Sequence, residues 1–375
     1  MKGSHVSSID LQDDRLHLTY GSYKLELLYI WLRDHCRCNT CYNHKTNQKN
    51  VENYGLPWNL KPSNIDYNGM VLTLQWPNDQ HITSYNMDWL IQNTFHDQHQ
   101  DRVQQILWDK ERLGAEPGLP LVPYKHYMST DDGLKDHLTN LLKYGFSIVS
   151  EVPSNHEGTL EVSQRVCFIQ ETLFGPSWSF TSDLAYGDTA YTKIALGAHT
   201  DSTYFMSPSG IQVFHVLEHD GEGGQTLLVD GFHAAEKLRA DNPDAFQYLT
   251  KTVVPHEYFD EGQRVRSLGT VLTLHPTTQR LINIRFNPYD RSPLSTLPSD
   301  DQLKFYKSYD LLVNNIKDPD SEFWIKLQPG MVLFVDNWRV LHGRAAFTGL
   351  RRVSGCYLPR DDWISRARTF NLLNL

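Results

Sequence analysis

The chain has 375 residues, 40% hydrophobic, 21% charged and 12% aromatic, enough to bury one large core or two smaller ones. A formal net charge of -9 argues against a nucleic-acid binder or a membrane-surface protein, both of which favour basic patches, and fits a soluble enzyme. Apolar runs such as LELLYIWL (25–32) are too short to cross a bilayer.

The opening residues, MKGSHVSSIDLQDDRLHLTYG, carry neither the apolar region of a signal peptide nor the Arg-rich, acid-poor composition of a mitochondrial presequence. The expected compartment is the cytoplasm, or the mitochondrial matrix for a mature form. Residues 10 to about 115 read as strand-rich: RLHLTY, YKLELLYIWL and GMVLTLQW alternate or run apolar between Asn, Pro and Gly turns. Within them Cys36, Cys38 and Cys41 form a C-x-C-x2-C array. Five cysteines in all, an odd number, with three crowded together, suit a metal site better than a disulfide framework. The array is one ligand short of a tetrahedral thiolate site, and a closed site of that kind would be structural zinc.

The stretch RLGAEPGLPLVPYKHYMSTDDG (112–133) gathers prolines and glycines and reads as a linker. The expected division is therefore a small β domain, 1–115, and a larger domain, 116–375. Leu134, Leu138, Leu141 and Leu142 then mark one face of a helix, with N-cap oxygens at Ser129, Thr130 and Asp131. A second helix is expected from about Thr159 to Phe174, with Leu160, Val166, Ile169 and Leu173 inward. From about 190 onward the chain reads as short strands broken by turns, interrupted by a helix near 299–316. The expected fold is mainly β with flanking helices: a double-sheet jelly-roll domain preceded by the small β domain.

GAHTDSTYF (197–205) sets His199 and Asp201 at i and i+2, on one face of a strand, where imidazole and carboxylate can reach one ion. FVDNWRVLHGR (334–344) supplies a distant third ligand, His342. Two histidines and a carboxylate make the facial triad that binds non-haem Fe(II) and leaves positions open. Those positions suit a chelating cosubstrate and O2. If the cosubstrate is 2-oxoglutarate, its far carboxylate needs an anchor. Arg351 and Arg352 begin the strand after His342, and a guanidinium fork suits a carboxylate. Thr226, in GGQTLLVDG, can add a hydroxyl.

From about residue 25 to the C-terminus the chain resembles the γ-butyrobetaine hydroxylase and trimethyllysine dioxygenase family of Fe(II)/2-oxoglutarate oxygenases of carnitine biosynthesis. The resemblance rests on WLRDHCRCNTC, FTSDLAYGDTAYTKIALGAHTDSTYF, GIQVFHVLEHDGEGGQTLLVDGF and FWIKLQPGMVLFVDNWRVLHGRAAFTG. GDTAYTK, HTDSTYF and GCYLPRDD lean toward its trimethyllysine branch. The resemblance implies a double-stranded β-helix, iron on His199, Asp201 and His342, Arg351 as the cosubstrate anchor, ascorbate as reductant, and a homodimer. It implies hydroxylation at C3 of trimethyllysine, with succinate and CO2 released. It also implies an aromatic cage of Trp178, Tyr191 and Tyr357 for a trimethylammonium group, which has no N–H to donate and is held by π faces. Asp188 would add a compensating charge, Asn287 would touch polar groups of the substrate, and His81 would complete the cysteine array. Phe174 stands where relatives often carry tyrosine, and Arg352 beside Arg351 leaves the anchor open by one residue. Two rival readings are γ-butyrobetaine hydroxylation on the same iron and cage, and a catalytically inert β-barrel binding protein.

Overall fold

The computed structural model describes residues 6–77, 81–94, 103–115, 118–181, 192–260 and 262–373. The chain divides into two compact units, Met1–His99 and Gln100–Leu375.

In the first unit, alternation makes strands with one buried face. Leu16 and Leu18 on Arg15–Tyr20, Leu25 and Leu27 on Tyr23–Leu28, and Leu72 and Leu74 on Val71–Gln75 are all buried. They close a core between two three-stranded antiparallel sheets. YKLELLYIWL is not one strand: it breaks at Leu28, and Tyr29–Asp34 is a helix. The apolar period changes there. Leu25, Leu27 and Tyr29 are spaced by two, whereas the buried pair Tyr29 and Leu32 is spaced by three.

The second unit is built on two sheets. The larger runs, in order, Trp178–Phe180, Arg351–Leu358, Ile211–His219, Val332–Asp336, Phe146–Ser150 and Leu121–Pro123. The smaller runs Leu196–His199, Val340–Arg344, Thr226–Asp230 and Phe323–Ile325. Between residues 196 and 230, and again between 323 and 358, successive strands alternate between the two sheets. Apolar residues of both, among them Phe146, Val216, Leu228, Leu333 and Val340, share one core. Arg339, in the turn between Val332–Asp336 and Val340–Arg344, locks this arrangement. Its guanidinium forms a fully buried pair with Asp230, Nη2 to Oδ2 2.7 Å, and Asp230 also accepts the backbone N–H of Trp108 at 3.1 Å.

Helices cover the sheets. Asp131–Tyr144 forms as its leucine spacing predicts: Thr130 caps it by accepting the Gly133 N–H, and Leu134, Leu138, Leu141 and Leu142 are buried. It ends at Gly145, whose φ of 78° lies in the left-handed region. Three expectations differ from what is observed. The stretch 112–133 is not a linker in its described residues: Lys110–Ala115 is a helix, Leu121–Pro123 joins the larger sheet in parallel to Phe146–Ser150, and Tyr124–Ser129 is a helix. The helix expected to reach Phe174 spans His156–Val166, starting after the Asn155 cap. The chain then leaves helical geometry because the Gln170 N–H is drawn to the carbonyl of Tyr357 (2.8 Å). Finally, Gly231–Asp241 and Pro243–Lys251 are helices within a region that reads as mostly β. Their signals were the Asp230 cap and Pro243 at a first helical turn.

Among the described residues, no helix is long and apolar enough to cross a membrane.

Candidate active site

Leu196–His199 and Val340–Arg344 pair antiparallel, with His199 directly opposite His342. Such a pair places both side chains on one face of the sheet, and the imidazole centroids are 4.6 Å apart. The strand ends at His199, and Asp201 turns back toward it: His199 Nε2 is 3.3 Å and His342 Nε2 3.7 Å from Asp201 Oδ1. Close pairing at this point needs glycine after His342, since a Cβ on Gly343 would stand 2.6 Å from the Leu196 carbonyl oxygen.

The donors are fixed from behind. His199 Nδ1 lies 2.8 Å from the Gly197 carbonyl. A carbonyl only accepts, so the proton sits on Nδ1 and the Nε2 lone pair faces the cluster. Asn337 holds the backbone of Asp201 on both sides: its Oδ1 accepts the Asp201 N–H at 2.7 Å, and its Nδ2 donates to the Asp201 carbonyl at 3.0 Å. The Tyr357 hydroxyl donates to Asp201 Oδ2 at 3.0 Å. Burial pushes the Asp201 carboxyl up, but His342, His199 and Tyr357 outweigh it and hold the group at about 2. Burial pushes His342 down to about 4. For His199, burial acts downward too, but Asp201 and the Gly197 carbonyl raise it overall. At neutral pH the face therefore offers an ionised carboxylate and a neutral His342. Two imidazoles and a carboxylate converging on one point fit a divalent metal of the non-haem iron type.

The triad opens into a cavity of about 140 Å³. Arg351, Thr226, Trp178, Tyr357, Phe174 and Asn287 all line it. Arg352 does not: its side chain is half exposed, and its guanidinium reaches Glu218 at 3.7 Å. Strand alternation sends one arginine in and the next out. Tyr191 and Asp188 lie outside the described residues. Arg351 is buried, with its Nε unpartnered. Burial, then the nearby charge of Arg344, lowers it to about 10, which still leaves it cationic at neutral pH. Trp178 packs against the backbone of Gly355, where an added Cβ would meet its ring at 2.2 Å. Phe174 stacks edge-on against Tyr258, which in turn packs on Tyr204.

Several lining or supporting residues escape the sequence reading. Arg344 stands two residues after His342 on the same strand, so the spacing that joins His199 to Asp201 could have found it. It lines the cavity and donates to the carbonyls of Thr192 and Ile194 at 2.7 and 3.0 Å. Tyr289 and Asp290 sit on a turn, and Asn337 between two strands, where no periodicity marks them.

In the first unit, Cys36, Cys38, Cys41 and His81 converge. His81 Nε2 lies 3.1, 3.5 and 3.6 Å from the three sulfurs in that order. The cysteines sit on a tight turn after the helix Tyr29–Asp34, in which the N–H groups of Cys41 and Tyr42 both donate to the Cys38 carbonyl. His81 immediately precedes the strand Ile82–Asn86. Burial and the neighbouring thiols push Cys41 up to about 11. Three thiols and an imidazole fit tetrahedral zinc.

Residues 109–357 match the taurine catabolism dioxygenase TauD, TfdA family, and residues 8–91 match the γ-butyrobetaine hydroxylase-like N-terminal family. The chain is 44% identical over 365 residues to "Trimethyllysine dioxygenase, mitochondrial" of Rattus norvegicus, covering 96% of this chain and 86% of that protein. The chain belongs to the TauD/TfdA dioxygenase family, in its trimethyllysine dioxygenase branch. It is 35% identical over 361 residues to the trimethyllysine dioxygenase of Meyerozyma guilliermondii, covering 92% and 90% of the two chains. Similarity to the human γ-butyrobetaine dioxygenase is lower, 28% over 381 residues, covering 98% and 95%.

Proposed function

We propose that this chain hydroxylates C3 of N6,N6,N6-trimethyllysine in an Fe(II)- and 2-oxoglutarate-dependent reaction that consumes O2 and releases succinate and CO2. The observation that carries the reading is the convergence of His199, Asp201 and His342 at the wall of a cavity that also holds a buried, cationic Arg351. Iron, when bound with 2-oxoglutarate and O2, supplies the oxidising power to remove hydrogen from an unactivated carbon. The residues do the rest. Arg351 and Thr226 hold the far carboxylate of 2-oxoglutarate. Trp178 and Tyr357, with Phe174 beside them, offer aromatic surface to the quaternary ammonium, and Tyr191 and Asp188 are assigned to the same cage. The distance from cage to metal decides which carbon is presented.

The alternation of strands between the six- and four-stranded sheets supports reading the second unit as a double-stranded β-helix. The cysteine cluster is assigned to structural zinc, which staples the small β domain. Ascorbate is assigned as the reductant that keeps iron ferrous, and a homodimer as the assembly. The name of the rat relative supports the mitochondrial matrix, beside the cytoplasm, as the compartment to test.

Succinate release measured side by side with trimethyllysine and γ-butyrobetaine tests the function. Trimethyllysine should be the better substrate by at least an order of magnitude in kcat/KM. A preference for γ-butyrobetaine would move the assignment to the sister activity, and succinate release with neither would remove it.

A further inference from the structure

The described cavity wall carries four charged side chains. Arg344 and Arg351 are the cationic pair, and Asp201 belongs to the metal triad. Asp290 is the carboxylate left over. It closes the turn after Phe286, and that turn is tied down on several sides. Asn287 is buried, and its Oδ1 accepts the backbone N–H groups of Tyr289 and Asp290 at 3.0 and 3.3 Å. Its Nδ2 donates to Asp290 Oδ2 at 2.7 Å. The Asp290 carbonyl accepts the N–H of Glu257 at 2.8 Å, and the Tyr289 hydroxyl accepts the N–H of Gly197, two residues before the first metal ligand, at 2.9 Å. Asn287 therefore spends its amide on Asp290, and the carboxylate is aimed from a frame fixed to the metal strand.

We propose that Asp290 is the specificity-determining residue that receives the primary α-ammonium of the substrate, and that Asn287 is the residue that positions it. The inference rests on the trimethyllysine reading above. The two cationic ends of such a substrate need opposite chemistry. A quaternary ammonium has no N–H and is matched by aromatic faces, whereas a primary ammonium carries three donors and is matched by an acceptor-only carboxylate. A trimethylammonium carboxylic acid without an α-amine offers the carboxylate no N–H and no positive charge at that end, so it forgoes the charge-assisted hydrogen bonds that the amino acid gains. One residue then separates an amino-acid substrate from a betaine.

The test compares trimethyllysine with 6-(trimethylammonio)hexanoate, the same skeleton without the α-amine, in the native enzyme, Asp290→Asn, Asp290→Glu and Asn287→Ala. Succinate formation gives kcat/KM for each pair. The native enzyme should prefer trimethyllysine, and Asp290→Asn should shrink that preference ratio by roughly tenfold to a hundredfold, the range of a charge-assisted hydrogen bond. Asp290→Glu should recover part of the ratio, and Asn287→Ala should reduce it less than Asp290→Asn, with KM moving more than kcat. Equal losses for both compounds, leaving the ratio unchanged, would overturn the proposal, because a purely structural role or a role at the quaternary end predicts that result. No loss for either would overturn it as well. If Asp290→Asn does not fold, the Asp290→Glu and Asn287→Ala ratios decide between the same outcomes. Native enzyme inactive on trimethyllysine would instead remove the reading beneath the proposal, and the proposal with it.

Discussion

The two ligand clusters of this chain are built by opposite means. Cys36, Cys38 and Cys41 are almost contiguous, sit on a turn, and enclose their centre with His81 as a fourth donor. His199 and His342 come from two paired strands and Asp201 from the bend after the first; together they supply three donors and face a cavity. A tetrahedral set that uses every position can only hold a fold together. A facial set on one side of an ion leaves the other side to substrates. The difference teaches that the number of donors and what faces them, more than the donor types, separates a staple from a reaction centre.

The sharpest way to break that contrast is to remove one ligand from each. His342→Ala should lower succinate formation by more than about a hundredfold, beyond the usual cost of losing a partner behind the ligands, while far-UV circular dichroism and the melting temperature stay close to native. Cys38→Ser should do the reverse: zinc content by elemental analysis falls from about one per chain toward zero, and the first unit melts early, since structural zinc contributes folding energy outright. A zinc-free native protein, or a His342→Ala protein that unfolds, would erase the distinction.

Asn337→Ala probes the frame behind the open site. It removes both hydrogen bonds that hold the backbone of Asp201, and iron affinity by titration should weaken by roughly 10–100-fold. Tyr357 comes next. As a cage ring alone it would tolerate phenylalanine, but its hydroxyl is bonded to Asp201. Tyr357→Phe should therefore weaken iron binding several-fold with little change in substrate KM. Tyr357→Leu should add about 1–2 kcal/mol, or about tenfold in KM, for the lost π face.

The smallest effect concerns histidines in neither cluster. His137, wedged between Tyr127 and Phe334, and His256 are both pushed by burial down to about 3. Unfolded, each takes up its proton near pH 6.5, so between about pH 3 and pH 6.5 the unfolded chain binds more protons and stability falls with falling pH. Between pH 7.5 and pH 5.5 each should cost about 1 kcal/mol, seen as a drop in melting temperature that is smaller in His137→Leu.

Much of the site was legible because its logic is local. His199 and Asp201 stand two residues apart, although only His199 lies on the strand and Asp201 reaches the same point from the bend after it; the cysteines crowd one turn, and Arg351 follows His342 at the start of the next strand. The helix Asp131–Tyr144 was equally plain from its leucines. What stayed hidden has no periodic trace. Asn337 and Asp290 sit on turns, where position is decided by which carbonyl or N–H lies opposite, and that is a property of the closed fold. The choice between Arg351 and Arg352 needed the strand register with Ile211–His219. The helices Gly231–Asp241 and Pro243–Lys251 were masked by the apolar run TLLVD leading into them.

The direct opposition of His199 and His342 has a consequence for how the molecule comes into being. The two residues are separated by more than a third of the chain, so their meeting waits on a pairing of high contact order, the kind that forms slowly. Newly made protein should thus become zinc-competent early and iron-competent late, and the moment at which it captures Fe(II) should report that a long-range strand pairing of the second unit has closed.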